Sequence, residues 1–178
     1  MTGRPALLLD RDGTLIVDAG YPRDPAQVAP LPGAIDALRA LGRAWALVIV
    51  SNQSGIGRGL IQPAEAAAVH AEVVARFAAG GVAFAGAYYC PHAPAAACRC
   101  RKPAPGLVLD AARDLGLDLA RSVMIGDRDS DLACGRAAGC GRVLGLGLAG
   151  GCADWPAIVA ALTDDAPATR VATPTEPG

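Results

Sequence analysis

Asp10, Arg11, Asp12, Gly13 and Thr14 set two carboxylates two residues apart, just where the short apolar run Ala6–Leu9 gives out. Residues i and i+2 of an extended segment share a face, so both carboxylates can reach one site, and Gly13 permits a sharp turn directly after them. One carboxylate could attack phosphorus to form an acyl phosphate while the other protonates the leaving oxygen. The same string could equally close a strand through Asx turns.

Three further polar groups occupy comparable positions. Ser51, Asn52, Gln53, Ser54 and Gly55 follow a second apolar run over 45–50. Their hydroxyl, amide and backbone N–H groups could hold phosphoryl oxygens without charge repulsion, or merely cap a loop. Arg101 and Lys102 stand ahead of Pro103 and a helical stretch, where an ammonium would serve as a compact point charge on a phosphoryl group. Gly126 and Asp127 follow a third apolar run, with Asp131 four residues after Asp127. Asp127 could share Mg²⁺ with Asp10, since that ion takes a few hard oxygens alongside a substrate phosphate; a helix N-cap cluster would look the same. Asp131 is expected to orient Lys102 or a water on the metal.

Cys90, His92, Cys98 and Cys100 offer three thiolates and an imidazole, a complete tetrahedral zinc shell with no open position, which implies structural rather than hydrolytic zinc. The loop stands directly before Arg101 and Lys102, so bound zinc would stiffen the backbone that aims them. Cys134, Cys140 and Cys152 lack such a pattern and read as small core residues, and His70 reads as a packing or surface histidine.

The elements that must position these groups alternate between short apolar runs and amphipathic stretches. Strands are expected over Ala6–Leu9, 45–50, 82–89, 123–125 and 142–146, and helices over 33–41, Pro63–Ala79, 107–115, 131–138 and 155–162. Apolar strands without alternation, separated by helices, indicate an α/β fold with a parallel sheet covered on both faces. In such a Rossmann-like, doubly wound sheet, ligands bind beyond the carboxyl ends of the strands, where all four polar groups fall. A single domain is expected over 1–162, with a Pro- and Thr-rich tail over 163–178.

Taken together, the string from Asp10 to Thr14, the Ser51-Asn52-Gln53 segment, Lys102 and the Gly126-Asp127 pair resemble the four motifs of the haloacid dehalogenase-like phosphatases. The similarity narrows to the D-glycero-D-manno-heptose 1,7-bisphosphate 7-phosphatases and the related histidinol-phosphate phosphatases. It is carried by the segment from Asp18 to Tyr21, by Ser51 through Gly59 with Ser54 and Arg58, and by Cys90 through Pro103. The resemblance implies Asp10 as nucleophile, Asp12 as acid and then base, and Mg²⁺ held by Asp10, the Asp12 backbone carbonyl and Asp127. It further implies that Ser51, Arg101 and Lys102 stabilise the phosphoryl group, and that Asp18, Tyr21, Asn52, Gln53, Ser54, Arg58 and Arg128 meet substrate. Zinc on the Cys/His loop is part of the same pattern.

The 178 residues carry 16 basic and 17 acidic side chains, with 52% hydrophobic and 4% aromatic residues. That balance allows a sizeable core and argues against disorder, nucleic acid or an anionic membrane as partner. Of the 16 basic residues 15 are Arg, so Lys102 is the single lysine, and Asn52 is the single asparagine. Neither a secretory leader nor a membrane span is expected, and the chain reads as a cytoplasmic monomer acting on a sugar phosphate. The 38 residues between Asp12 and Ser51 and the 49 between Asn52 and Lys102 leave no room for a folded cap domain.

Arg11, Arg58, Arg101 and Arg128 lie in or beside the motifs, more guanidinium than one phosphate needs, which favours a substrate with a second anionic group. A heptose bisphosphate meets that requirement; histidinol phosphate carries an ammonium instead. Ser54 also stands where histidinol phosphatases tend to have Asp. The five-residue gap between His92 and Cys98 is the shorter form, also typical of histidinol phosphatases, and Arg128 stands where heptose enzymes often have Lys. A nucleic-acid 3′-phosphatase would share the catalytic motifs but calls for a basic stripe with interleaved aromatics. A non-catalytic phosphate-binding module would not need a nucleophile.

Overall fold

The computed structural model describes residues 3–163. Five strands, β1 (Ala6–Leu9), β2 (Ala46–Asn52), β3 (Gly86–Cys90), β4 (Val123–Gly126) and β5 (Arg142–Gly145), form one sheet in the order β3-β2-β1-β4-β5. Every pairing is parallel; on β1, Leu7 sits opposite Leu47 of β2 and Val123 of β4. The helices are α1 (Ala34–Leu41), α2 (Ser54–Gly57), α3 (Pro63–Ala79), α4 (Gly106–Leu115), α5 (Asp129–Ala138) and α6 (Trp155–Thr163).

The sheet is buried on both sides because its strands are apolar at consecutive positions. Leu7 and Leu9 of β1 join a core with α1, α3 and α6, while Ala6 and Leu8 join a second core with α4 and α5. A fully buried leucine contributes about 1.5–3 kcal/mol, so the three leucines of β1 anchor the strand that carries Asp10 at its end. Local signals agree with the packing. Pro63 opens α3, and the Gln62 backbone N–H donates to Glu65 Oε2 at 2.7 Å, closing the helix start as a capping box.

The differences from the sequence expectation that bear on the site are the bounds of two strands and one unexpected short helix. β2 continues past residue 50 through Ser51 and Asn52, because the β3 backbone pairs with both, opposite Tyr89 and Cys90. β3 begins at Gly86 rather than 82: Val82 and Phe84 pack on the core, but the ladder opens only when the Ala85 N–H reaches Leu47 O at 2.7 Å. α2 is a single turn whose glycine-rich sequence carries no apolar period. The tail expected over 163–178 falls, from 164 onward, outside the described residues. No helix among the described residues is long and apolar enough to cross a membrane.

Candidate active site

A cavity of about 440 Å³ opens at the carboxyl ends of the central strands. Asp10 and Asp12 enter it from the end of β1, Ser51 and Asn52 from the last two residues of β2, and Asp131 from the first turn of α5, just after β4. Arg101 and Lys102 arrive from the loop between β3 and α4. Four segments distant in sequence therefore converge on one volume, as the strand-end placement of the motifs requires.

Lys102 is the hub. Its side chain is buried, and Nζ donates to Asp10 Oδ1 at 2.6 Å and to Val50 O at 2.7 Å, with Asp131 Oδ1 also at 2.7 Å. All three ammonium hydrogens thus have acceptors. Burial disfavours the charge, but Asp10 and Asp131 outweigh it and hold the lysine above its ordinary pKa. The backbone of Lys102 is fixed by Asn52, whose amide donates to Lys102 O at 3.1 Å and accepts the Lys102 N–H at 3.0 Å. Asn52 lines the cavity, yet its amide is spent on the lysine backbone.

Asp127 follows directly after β4 and packs against the turn after β1. An added Cβ on Gly13, itself at φ 82°, would lie 2.2 Å from Asp127 Oδ2, so only glycine lets the β1 loop and this carboxylate share the space. The Thr14 hydroxyl donates to Asp127 Oδ1 at 3.4 Å. Burial, then the negative charges of Asp10 and Asp131, push the Asp127 carboxyl up to about 6. Oxygens of Asp10, Asp127 and Asp131 lie within 4.8 Å of one another. Asp131 is already committed, its Oδ1 to Lys102 and its Oδ2 to the Arg128 N–H at 3.0 Å. Asp10 and Asp127 are the carboxylates left to take a cation.

Asp12 lines the cavity too, but its partners lie behind it. The Arg11 guanidinium and the Gln53 amide both donate to its carboxylate, and Gln53 Nε2 also donates to Ser51 Oγ at 3.0 Å. Burial raises the Asp12 pKa against the pull of Arg11 and Gln53, with Asp10 adding to the rise. Arg11, read from sequence as a spare guanidinium for a second anion, is instead buried against Asp12. Arginine is rarely buried without a partner, and the signal was available: an Arg between two carboxylates at the end of a wholly buried strand has an acceptor beside it.

At the cavity mouth, Arg128 Nη2 donates to Asp18 Oδ2 at 2.8 Å, joining the β1 and β4 loops. Tyr21 and Ser54 contribute to the same wall; Gln53 and Arg58 do not, and Arg58 stays exposed after α2. Among the described residues the one buried side-chain nitrogen or oxygen without a hydrogen-bond partner is Nη1 of Arg101, a residue of the cavity wall.

The Cys/His loop sits directly upstream. The Sγ atoms of Cys90, Cys98 and Cys100 lie 3.3–3.5 Å apart, and His92 Nδ1 is 3.2 Å from Cys100 Sγ and 3.6 Å from Cys90 Sγ. Those separations approach the edge of about 3.8 Å that Zn–S bonds of about 2.3 Å would give a tetrahedron. Its backbone is tied to α2: the Gln53 N–H donates to Cys90 O at 2.7 Å and the Gly57 N–H to Pro91 O at 2.8 Å. A Cβ on Gly57 would meet the Ala93 nitrogen at 2.4 Å, which explains why the helix turn is glycine-rich where it touches this loop. Cys134 is buried in the second core, against which Cys140 also packs, while Cys152 packs against the first. His70 contacts the Tyr89 hydroxyl beside Arg11.

A parallel sheet whose central strand ends in this carboxylate pair, faced by a buried lysine, is that of a haloacid dehalogenase-like (HAD-like) hydrolase, and residues 99–147 match the HAD-hydrolase-like family model. The chain is 41% identical to D-glycero-beta-D-manno-heptose-1,7-bisphosphate 7-phosphatase of Vibrio cholerae serotype O1 across 78% of each chain. It is likewise 41% identical to the protein of that name from Escherichia coli strain K12, across 77% of this chain and 76% of the relative. The crystal structure of D,D-heptose 1,7-bisphosphate phosphatase from B. bronchiseptica, complexed with magnesium and phosphate, superimposes with a TM-score of 0.80 at 34% identity, covering 92% of this chain and 99% of that one. The chain belongs to the heptose 1,7-bisphosphate 7-phosphatase family of HAD-like hydrolases.

Proposed function

We propose that this chain is a Mg²⁺-dependent phosphatase that removes the 7-phosphate of D-glycero-D-manno-heptose 1,7-bisphosphate, through an aspartyl-phosphate on Asp10, in the biosynthesis of nucleotide-activated heptose. The observation that carries the chemistry is the buried Lys102 ammonium, held against Asp10 in a cavity that Asp12 and Ser51 also line.

Asp10 attacks phosphorus while Asp12 passes a proton to the sugar oxygen as the P–O bond breaks; Asp12 then takes a proton from the water that opens the acyl phosphate. Ser51 and Lys102 hold phosphoryl oxygens through this exchange, so positioning and fixed charge supply the rate. The donor set fits Mg²⁺: hard oxygens from Asp10 and Asp127, to which the family resemblance adds the Asp12 backbone carbonyl, with Asp127 under repulsion from its neighbours that a dication would relieve. Bound there, the ion neutralises charge on the transferring phosphoryl group. The four Cys/His ligands fit structural zinc by softness, number and spacing.

The choice of a bisphosphate rests on the orphaned nitrogen of Arg101 and on Arg128 at the mouth, which suit a second anionic group. The six free cysteines fit a reducing cytoplasm. A monomer with neither nucleic acid nor a membrane as partner is part of the same proposal.

The test is phosphate release measured in parallel on D-glycero-D-manno-heptose 1,7-bisphosphate, histidinol phosphate and a 3′-phosphorylated oligonucleotide. The heptose bisphosphate should give the highest kcat/KM, by tenfold or more. Faster turnover of histidinol phosphate would overturn the substrate assignment.

A further inference from the structure

We propose that Arg11 and Gln53 are positioning residues for the acid–base carboxylate of Asp12, acting as a two-sided clamp that fixes where its proton is delivered. The inference rests on the phosphatase reading above and concerns a part of the site that meets no substrate.

The Arg11 side chain is 1% exposed, among the largest fully buried side chains of the protein. Its Nε lies 3.2 Å from Asp12 Oδ1 and 3.1 Å from Oδ2, and its Nη2 lies 3.0 Å from each. The same Nη2 donates to Gln53 Oε1 at 2.9 Å, and Gln53 Nε2 donates to Asp12 Oδ2 at 2.8 Å. Three side chains therefore close a ring. The orientation of Gln53 is fixed by chemistry: turned over, its carbonyl would face the Asp12 carboxylate and its NH₂ the guanidinium, setting acceptor against acceptor and donor against donor.

The ring is backed by rigid structure. The Arg11 carbonyl accepts the Leu15 N–H at 2.9 Å and the Ile16 N–H at 3.1 Å, pinning the loop after β1. Gln53 is held at its backbone by Cys90 O. Behind the guanidinium lies a largely apolar cavity of about 250 Å³, lined by Ile56, Pro63, Ala66 and Ala67, which offers the ion pair no competing side-chain charge. A short carboxylate turning freely about its side-chain torsions would present its proton over a wide arc. Donors on both oxygens leave one orientation, and misplacement by about 1 Å can cost 100-fold in rate.

The role separates from simple structural support by its dependence on the leaving group. The kcat/KM value covers steps up to formation of the aspartyl-phosphate. A sugar alkoxide needs the Asp12 proton in that step, whereas p-nitrophenolate departs as a stable anion and needs little help. Arg11→Met, Gln53→Leu, Asp12→Asn and the double variant Arg11→Met/Asp12→Asn are compared with the unmodified protein on the heptose bisphosphate and on p-nitrophenyl phosphate, with melting curves for each. Arg11→Met is expected to lower kcat/KM on the sugar phosphate by about 10- to 100-fold, and to lower the sugar-to-aryl ratio of kcat/KM by about tenfold or more. The double variant should be no worse on the sugar phosphate than Asp12→Asn, since the clamp then has nothing to position.

Equal losses on both substrates in a folded Arg11→Met protein, or losses that multiply in the double variant, would overturn the inference. Gln53→Leu removes one donor and no charge; if Arg11→Met fails to fold, the same ratio read on Gln53→Leu decides. Should Asp12→Asn itself fail to discriminate between the substrates, the acid–base reading of the site falls, and the clamp with it.

Discussion

Lys102 shows how much one side chain is asked to do. Taking an ammonium out of water costs several kcal/mol, and the cost is offset here by two carboxylates and a carbonyl within 2.7 Å. That arrangement suits a compact point charge. A guanidinium spreads the same charge over a planar fork that cannot bring one nitrogen to Asp10, Asp131 and Val50 O together. Lys102→Arg is therefore expected to keep the fold, judged by its circular dichroism, while kcat falls by about 100-fold or more. Retention of half the turnover would show that the position needs only positive charge. The chain uses arginine at every other basic position, so the lysine here is a choice the local geometry explains.

At the scale of elements, the loop between β3 and α4 joins the Cys/His cluster to Lys102. One end carries Cys90, on the last residue of β3; the other runs through Cys98 and Cys100 straight into Arg101 and Lys102. Asn52, on the last residue of β2, grips Lys102 from the opposite side, and Gly57 of α2 lets the loop backbone come close. Zinc removed by a selective chelator under saturating Mg²⁺ should lower Tm by about 10 °C, equivalent to the loss of about 3–5 kcal/mol in a domain of this size. Phosphatase activity should fall with it, and metal analysis of the intact protein should find one zinc per chain. Unchanged melting and activity after chelation would separate the loop from the site.

This loop also marks where sequence reasoning succeeds and where it stops. The clustering of Cys90, His92, Cys98 and Cys100 is legible because a metal shell would fix both residue type and spacing. The elements are legible because apolar runs with no alternation demand a sheet covered on both faces; α3 in particular spans the expected residues, between its opening proline and Gly80. What stayed hidden depends on packing across the chain. Arg11 shows only as a charged residue until β1 is placed in the middle of the sheet, with Gln53 beside it. The second amide, Asn52, has the composition of a phosphoryl donor, but its register at the end of β2 brings it to the Lys102 backbone. α2 has too few residues to show a period at all.

Across the whole molecule, the strand order explains why the site lies where it does. From β1 the chain builds outward through β2 and β3, then crosses back to lay β4 on the other side of β1. The crevice left at that reversal is the natural ligand site of an open parallel sheet, and Asp10 and Asp127 close the two strands that border it. The cavity of about 440 Å³ lies within the range that takes a small substrate. A bisphosphorylated sugar brings two esters to this crevice, and the site must choose between them. The Asp10 side of the cavity should receive the primary 7-phosphate while the arginines hold the other end. The most direct measurement is ³¹P NMR of D-glycero-D-manno-heptose 1,7-bisphosphate incubated with the protein and Mg²⁺. The resonance of the 7-phosphate should disappear as inorganic phosphate grows, with the anomeric 1-phosphate signal intact and no change when Mg²⁺ is left out. Loss of the 1-phosphate signal first, or no Mg²⁺-dependent release from either ester, would contradict the account.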